Sequence, residues 1–351
     1  VVLYPDRTRR VDIAPSVSKR IHFVKSVDVA KRLVDSFCCV LPYDIALQIR
    51  QTHTQTHTYN THPHTQHTRL VSSFMRAGSS FPLLGKIFSV EWNQSVAAVQ
   101  SRLLPAAAHF VLPDLPEILS DRDRADFSAA TDPSQRIHTV ATCHHETAES
   151  LLNSVAHVDP ESKLLLVGGN NRGPKTLSSV DAAKILRNER GNVLWGVTNP
   201  NDPESVETFG QKVESGMTGF LTQPLLSSRA ADTMHTYREC CCSNGAEEHK
   251  TTNKTTTKNT TLLAGLAFPK TVRGLRFWAK LLGQEAELEN DPMFQSHLAY
   301  FSQPYVTPIA WVGRELQDLL ANPSIDGVHF MPLGNTDDLC SIFTSLNNVH
   351  R

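Results

Sequence analysis

Residues 163–168 read KLLLVG, residues 192–198 NVLWGVT and residues 218–223 TGFLTQ. Each is a short, nearly continuous apolar run, and each is followed by a stretch with helical spacing, at 177–187, 205–215 and 228–241. Along the last of these, Ala230, Met234, Tyr237 and Cys241 fall on one face. Continuous apolar strands joined by helical crossovers are the signature of parallel strands covered on both sides.

The same alternation extends both ways. Upstream, 86–92 (KIFSVEW), 109–112 and 136–142 (RIHTVAT) read as strands. Helical spacing follows the first and third of these, at 95–104 and 146–155, and the link between the second and third reads as a polar connection. Downstream come a strand at 262–267, helices at 272–282, 292–301 and 309–320, a strand at 327–333 and a closing helix at 337–346. Eight such strands predict an α/β fold, a closed (β/α)8 TIM barrel. The rival is an open doubly wound sheet, which usually carries a glycine-rich first turn; none follows residues 86–92.

Composition agrees with a large folded unit. The chain has 351 residues, 40% hydrophobic and 20% charged, with a net charge of -1. That excludes a wholly disordered chain and argues against a dedicated nucleic-acid binder, which needs a basic excess. No run of about 18 apolar residues predicts a membrane span. Seven cysteines include the adjacent sets Cys38-Cys39 and Cys240-Cys241-Cys242. Such neighbours suit neither a zinc knuckle nor a disulfide scaffold, and a reducing, cytoplasmic setting is the simpler reading.

Three domains of sequence follow. Residues 1–50 read as an N-terminal helical extension, with Val29, Leu33 and Phe37 at helical spacing and Pro42 as a break. Its basic residues leave mitochondrial or plastid targeting open, although Asp6, Asp12, Asp28 and Asp35 count against a transit peptide. Residues 51–68 (QTHTQTHTYNTHPHTQHT) are a low-complexity insert, expected to be disordered. Residues 69–351 hold the barrel, interrupted by a second polar insert at 244–261. Asn253 and Asn259 there match the glycosylation sequon, as a Thr-rich run does by chance. The first residue is Val rather than Met, as in a fragment or a processed form.

Chemistry in a barrel sits at the C-terminal strand ends. Glu91 ends the first strand, where burial would raise its pKa and suit it to general acid work; a rim carboxylate paired with a base is the other reading. Residues 168–171 (GGNN) allow close backbone approach to a ligand, or simply form a turn. Gln223 is an amide able to meet both donor and acceptor edges of a pterin-like ring, or an ordinary rim residue. His144-His145 read as surface residues at a helix start rather than metal ligands, since no i,i+4 repeat accompanies them.

These pieces together resemble the methylenetetrahydrofolate reductase family, flavin-dependent (β/α)8 enzymes of one-carbon metabolism. The resemblance runs over 86–346 and rests on 163–174 (KLLLVGGNNRGP), 194–205 (LWGVTNPNDPES), 211–223 (QKVESGMTGFLTQ), 262–269 and 327–333 (GVHFMPL). It implies FAD as cofactor, NAD(P)H as electron donor, and reduction of 5,10-methylenetetrahydrofolate to 5-methyltetrahydrofolate. It gives Glu91 the role of acid in opening the folate ring and Gln223 the pterin contact. Gly169, Asn170, Thr198, Asp202 and Lys212 take the flavin-contacting positions. Asn170 stands where the family has Asp, Gly168 where it has Arg, and Val140 where it has His. The alternative is a diverged, non-catalytic barrel that binds folate or a protein partner. The partners implied are a folate, no nucleic acid and no membrane, and a homo-oligomer is left open.

Overall fold

The computed structural model describes residues 86–92, 96, 109–112, 121–168, 176–243, 260–304, 306–332 and 338–343. Eight parallel strands close in chain order: β1 (Ile87–Glu91), β2 (His109–Leu112), β3 (Arg136–Ala141), β4 (Lys163–Val167), β5 (Leu194–Thr198), β6 (Gly219–Pro224), β7 (Thr261–Ala267) and β8 (Gly327–Met331). β8 returns to β1 with Ser89 opposite His329, which seals the barrel. The fold is therefore a (β/α)8 barrel, as the alternation of apolar runs predicts.

The helices between them are α1 (Asp121–Ala130), α2 (Ala148–Val155), α3 (Ser179–Glu189), α4 (Ser205–Glu214), α5 (Ser228–Ser243), α6 (Val272–Leu281), α7 (Glu285–Leu288), α8 (Pro292–Phe301) and α9 (Pro308–Ala321). Their starts follow capping chemistry. Thr147, Ser178 and Thr271 each accept a backbone N–H of the first turn, and Asp291 accepts two, at Met293 and Phe294. Gly216, with φ of 100°, takes the chain out of α4 in a conformation that only glycine adopts freely.

Alternate strand residues fill two compartments. Val111, Ile137, Leu165, Trp195, Leu221 and Leu263 pack together inside the barrel. Gly219 leaves the space that the Trp195 ring occupies; a Cβ there would overlap the indole. The other set, with Leu164, Leu166, Leu194, Phe220 and Leu262, packs beneath the helices. The N-terminal end of the barrel is tied by charge. Asp326 accepts from Arg238 at 2.7 Å and from the Leu262 N–H at 2.7 Å, and Lys86 donates to the Ile325 carbonyl at 2.7 Å.

Three features differ from the sequence reading. The link between β2 and β3 contains the helix α1, held by Phe127 against Trp92 with ring centroids 5.2 Å apart. Thr261, placed in the polar insert, is the first residue of β7: its N–H donates to the Thr218 carbonyl and its β-branched side chain suits a strand. His145, expected on the surface, is buried, with its Nδ1 3.0 Å from the Ser150 hydroxyl. Residues 1–85 and 244–259, which include both N-terminal assignments and most of the second insert, lie outside the described residues. Among the described residues no helix is long and apolar enough to cross a membrane, and no His, Cys, Asp and Glu cluster could hold a metal ion.

Candidate functional site

Glu91 is the last residue of β1 and shares its inward side, by strand alternation, with Ser89 and Ile87. It is 8% exposed. No hydrogen bond or ion pair engages its carboxyl among the described residues. Burial alone pushes its pKa from the usual 4.5 up to about 8. A carboxyl in that state is a neutral acid at pH 7. It can donate a hydrogen bond or a proton, and it favours a partner that becomes basic as a bond breaks. Among the described residues no base pairs with Glu91, the partner that the rim-carboxylate reading requires.

Beneath Glu91, the Ser89 hydroxyl and His329 Nδ1 lie 2.9 Å apart. Both residues are buried, and burial drives the His329 pKa down to about 3, so the ring is neutral. This pair forms a polar floor under the acid. His329 sits at the middle of β8.

Gln223 lies across the barrel near the end of β6, within a register shift between Leu221 and Pro224. Thr222 builds that shift. Its hydroxyl accepts the Gly265 N–H at 2.8 Å and donates to the Gln223 carbonyl at 2.7 Å, standing in for a ladder carbonyl. The Gln223 side chain is half-buried and makes no hydrogen bond among the described residues. An amide with both edges open at a strand end is free to meet a ligand.

Asn201, which sequence reasoning missed, holds this rim in place. Its Nδ2 donates to the Pro224 carbonyl at 2.8 Å, and its Oδ1 accepts from the Leu226 N–H and the Ser227 hydroxyl at 3.1 Å each. The loop after β5 is thereby clamped to the segment that follows Gln223.

The flavin-side positions gather at the end of β5, yet their side chains are engaged with the protein itself. The Thr198 hydroxyl lies 2.8 Å from the Tyr237 hydroxyl, which in turn donates to Ser205 at 2.6 Å, so it points toward α4 and α5. Asp202 accepts the Glu204 N–H at 3.0 Å at the entry to α4. Lys212 donates to the Val197 carbonyl at 2.6 Å. Gly169 and Asn170 lie outside the described residues. Among the described positions, the Thr198 hydroxyl faces the helices, and Asp202 and Lys212 are engaged with backbone groups around α4 and β5.

No family model matches this chain, and no curated protein matches it. Among solved structures, an uncharacterised protein from Clostridium thermocellum that binds two copies of 5-methyl-5,6,7,8-tetrahydrofolic acid is similar, with a TM-score of 0.47 and 16% identity over 77% of this chain and 98% of that one. Barrels with unrelated activities share likeness of this order.

Proposed function

We propose that this chain binds a reduced folate at the mouth of its barrel and protonates it from Glu91, as in a methylenetetrahydrofolate reductase. The observation that carries the proposal is Glu91 itself: a carboxyl with no partner among the described residues, nearly enclosed at the end of β1, with its pKa raised by burial to about 8. Opening the imidazolidine ring of methylenetetrahydrofolate leaves an amine that must take up a proton. A neutral acid at the strand end supplies it. Gln223 contributes the amide that a pterin ring pairs with, and Asn201 holds that rim in position.

In the reductase the hydride comes from FAD, reduced in turn by NAD(P)H. The resemblance includes that half of the reaction. The described side chains at the end of β5 are engaged with the protein itself, and no step is derived through the flavin. Thr198 is the residue that favours a second reading, a barrel that binds folate without redox chemistry, because its hydroxyl is spent on Tyr237.

Titration of the purified protein with tetrahydrofolate, read by tryptophan fluorescence, tests the proposal. Saturable binding that Gln223→Ala weakens by about 5-fold or more, the worth of one hydrogen bond, is the expected result. Absence of binding overturns it. A visible flavin spectrum in the same sample separates the redox reading from the binding one.

A further inference from the structure

A cavity of about 230 Å³ opens on the helix side of β3, away from the barrel interior that Glu91 faces. Arg124 and Ser128 of α1, Arg136 and His138 of β3, Leu112 at the end of β2, and His157 and Asp159 before β4 line it. Four of these seven side chains are cationic or can become so, against one carboxylate. Among the described residues no carboxylate forms an ion pair with Arg124 or Arg136.

The fold holds the cations there. Arg136 is the first residue of β3, and its Nε and Nη2 donate to the Thr131 carbonyl, with Nη2 also on the Ser128 carbonyl. Those bonds lock the guanidinium plane against the C-terminal turn of α1. The edge-on contact of His138 with Phe127, at 5.5 Å between centroids, fixes the imidazole beside it. Asp159 is already used, accepting the Glu161 N–H at 2.8 Å in its turn. His138 makes no hydrogen bond among the described residues. Burial, then His157, Arg136 and Arg124, push its pKa down to about 4, opposed by Asp159. The cluster thus gathers like charges around one cavity, and burial, with these neighbouring cations, keeps the His138 imidazole neutral. A dianion placed there would relieve the repulsion and let His138 take up a proton.

We propose that this cavity is a binding site for a phosphate dianion, either free or as a phosphomonoester, held by Arg124, Arg136, His138 and His157. At roughly 30 Å³ per water, the space takes several waters and so a phosphoryl group. Arg136, with Nε and Nη2 bonded to α1, offers the cavity its Nη1 edge and its fixed charge, and Arg124 adds the second positive charge. The site is independent of the folate reading.

Calorimetric titration of the full chain with inorganic phosphate, sulfate and a nucleoside monophosphate tests it. Binding at millimolar concentration or tighter is expected. Arg124→Gln should weaken it by about 10-fold or more, as loss of a charge-assisted hydrogen bond does. His157→Asn, at an exposed position, should weaken it less. Arg124 makes no hydrogen bond among the described residues, so its replacement leaves the fold intact, which circular dichroism checks. Sulfate stays a dianion throughout the neutral range, so its affinity should rise as pH falls and His138 protonates. Tighter binding of the monophosphate assigns the site to a phosphorylated metabolite, and tighter binding of phosphate to the free ion. No binding of any of the three, or equal binding by the wild type and Arg124→Gln, overturns the proposal.

Discussion

Ser89 and His329 face each other across the β1–β8 seam, with the hydroxyl 2.9 Å from Nδ1 and both side chains buried. This bond joins the first strand of the barrel to the last, two residues below Glu91. Ser89→Ala removes the partner and leaves a buried ring nitrogen unsatisfied. The expected cost is about 1–3 kcal/mol, read as a lower denaturant midpoint with an unchanged m-value.

Asn201 is the second such tie. Asn201→Ala deletes the bonds to the Pro224 carbonyl, the Leu226 N–H and the Ser227 hydroxyl at once. Each is buried, so the loss should reach about 2–4 kcal/mol. Folate binding should weaken along with stability, because the segment released is the one that follows Gln223. Asn199→Ala removes the acceptor that holds Asn201, at 3.0 Å from its Nδ2, but deletes none of the three bonds directly, so its effect should be smaller.

The barrel was legible where apolar runs were long. β4, β5 and β6 alternate with helices so regularly that they read as parallel strands covered on both faces, and the count of eight such strands favours closure over an open sheet. α1 was not legible, because DRDRADFSAA has little apolar periodicity and a single large apolar residue, Phe127, whose burial against Trp92 holds it. The burial of Glu91 was legible, because an acid there interrupts an apolar strand. The orientation of Thr198, which the resemblance put at a flavin position, was less so. Trp195 and Val197 belong with the interior cluster, so alternation already turns Thr198 toward the helices. Asn201 and the Ser89–His329 pair depend on contacts between segments far apart in the chain. Residue spacing carries no trace of those.

The displaced pKa of Glu91 makes a pH dependence. In the unfolded chain the carboxyl titrates near 4.5; in the fold it titrates near 8. The folded state therefore binds the extra proton between those values. Stability from this group is complete below pH 4.5 and is lost as pH rises toward 8, at about 1.4 kcal/mol per unit. Glu315, raised to about 7 by burial, acts in the same direction. His109, His138 and His297, each lowered to about 4, act oppositely between about 4 and 6.5. The difference between wild type and Glu91→Gln isolates the one group. Denaturant melts across this range should show the variant gaining relative stability as pH rises, and parallel curves would mean that Glu91 is ionised in the fold.

Glu91→Gln also separates binding from chemistry. The amide keeps the size of the side chain and can still donate a hydrogen bond, so tetrahydrofolate should bind with nearly unchanged affinity. What the amide cannot give is a proton. Conversion of methylenetetrahydrofolate should therefore fall by about two to four decades, the usual share of a general acid. Its pH profile should change as well. Wild-type turnover should decline as pH rises past about 8, where the carboxyl ionises, and the variant should lose that limb. Single-turnover measurements with methylenetetrahydrofolate, with FAD and NAD(P)H supplied, over a range of pH, check both outcomes. If turnover in the variant matches the wild type, the proton comes from elsewhere. If binding and turnover fall together, Glu91 positions the folate rather than protonating it.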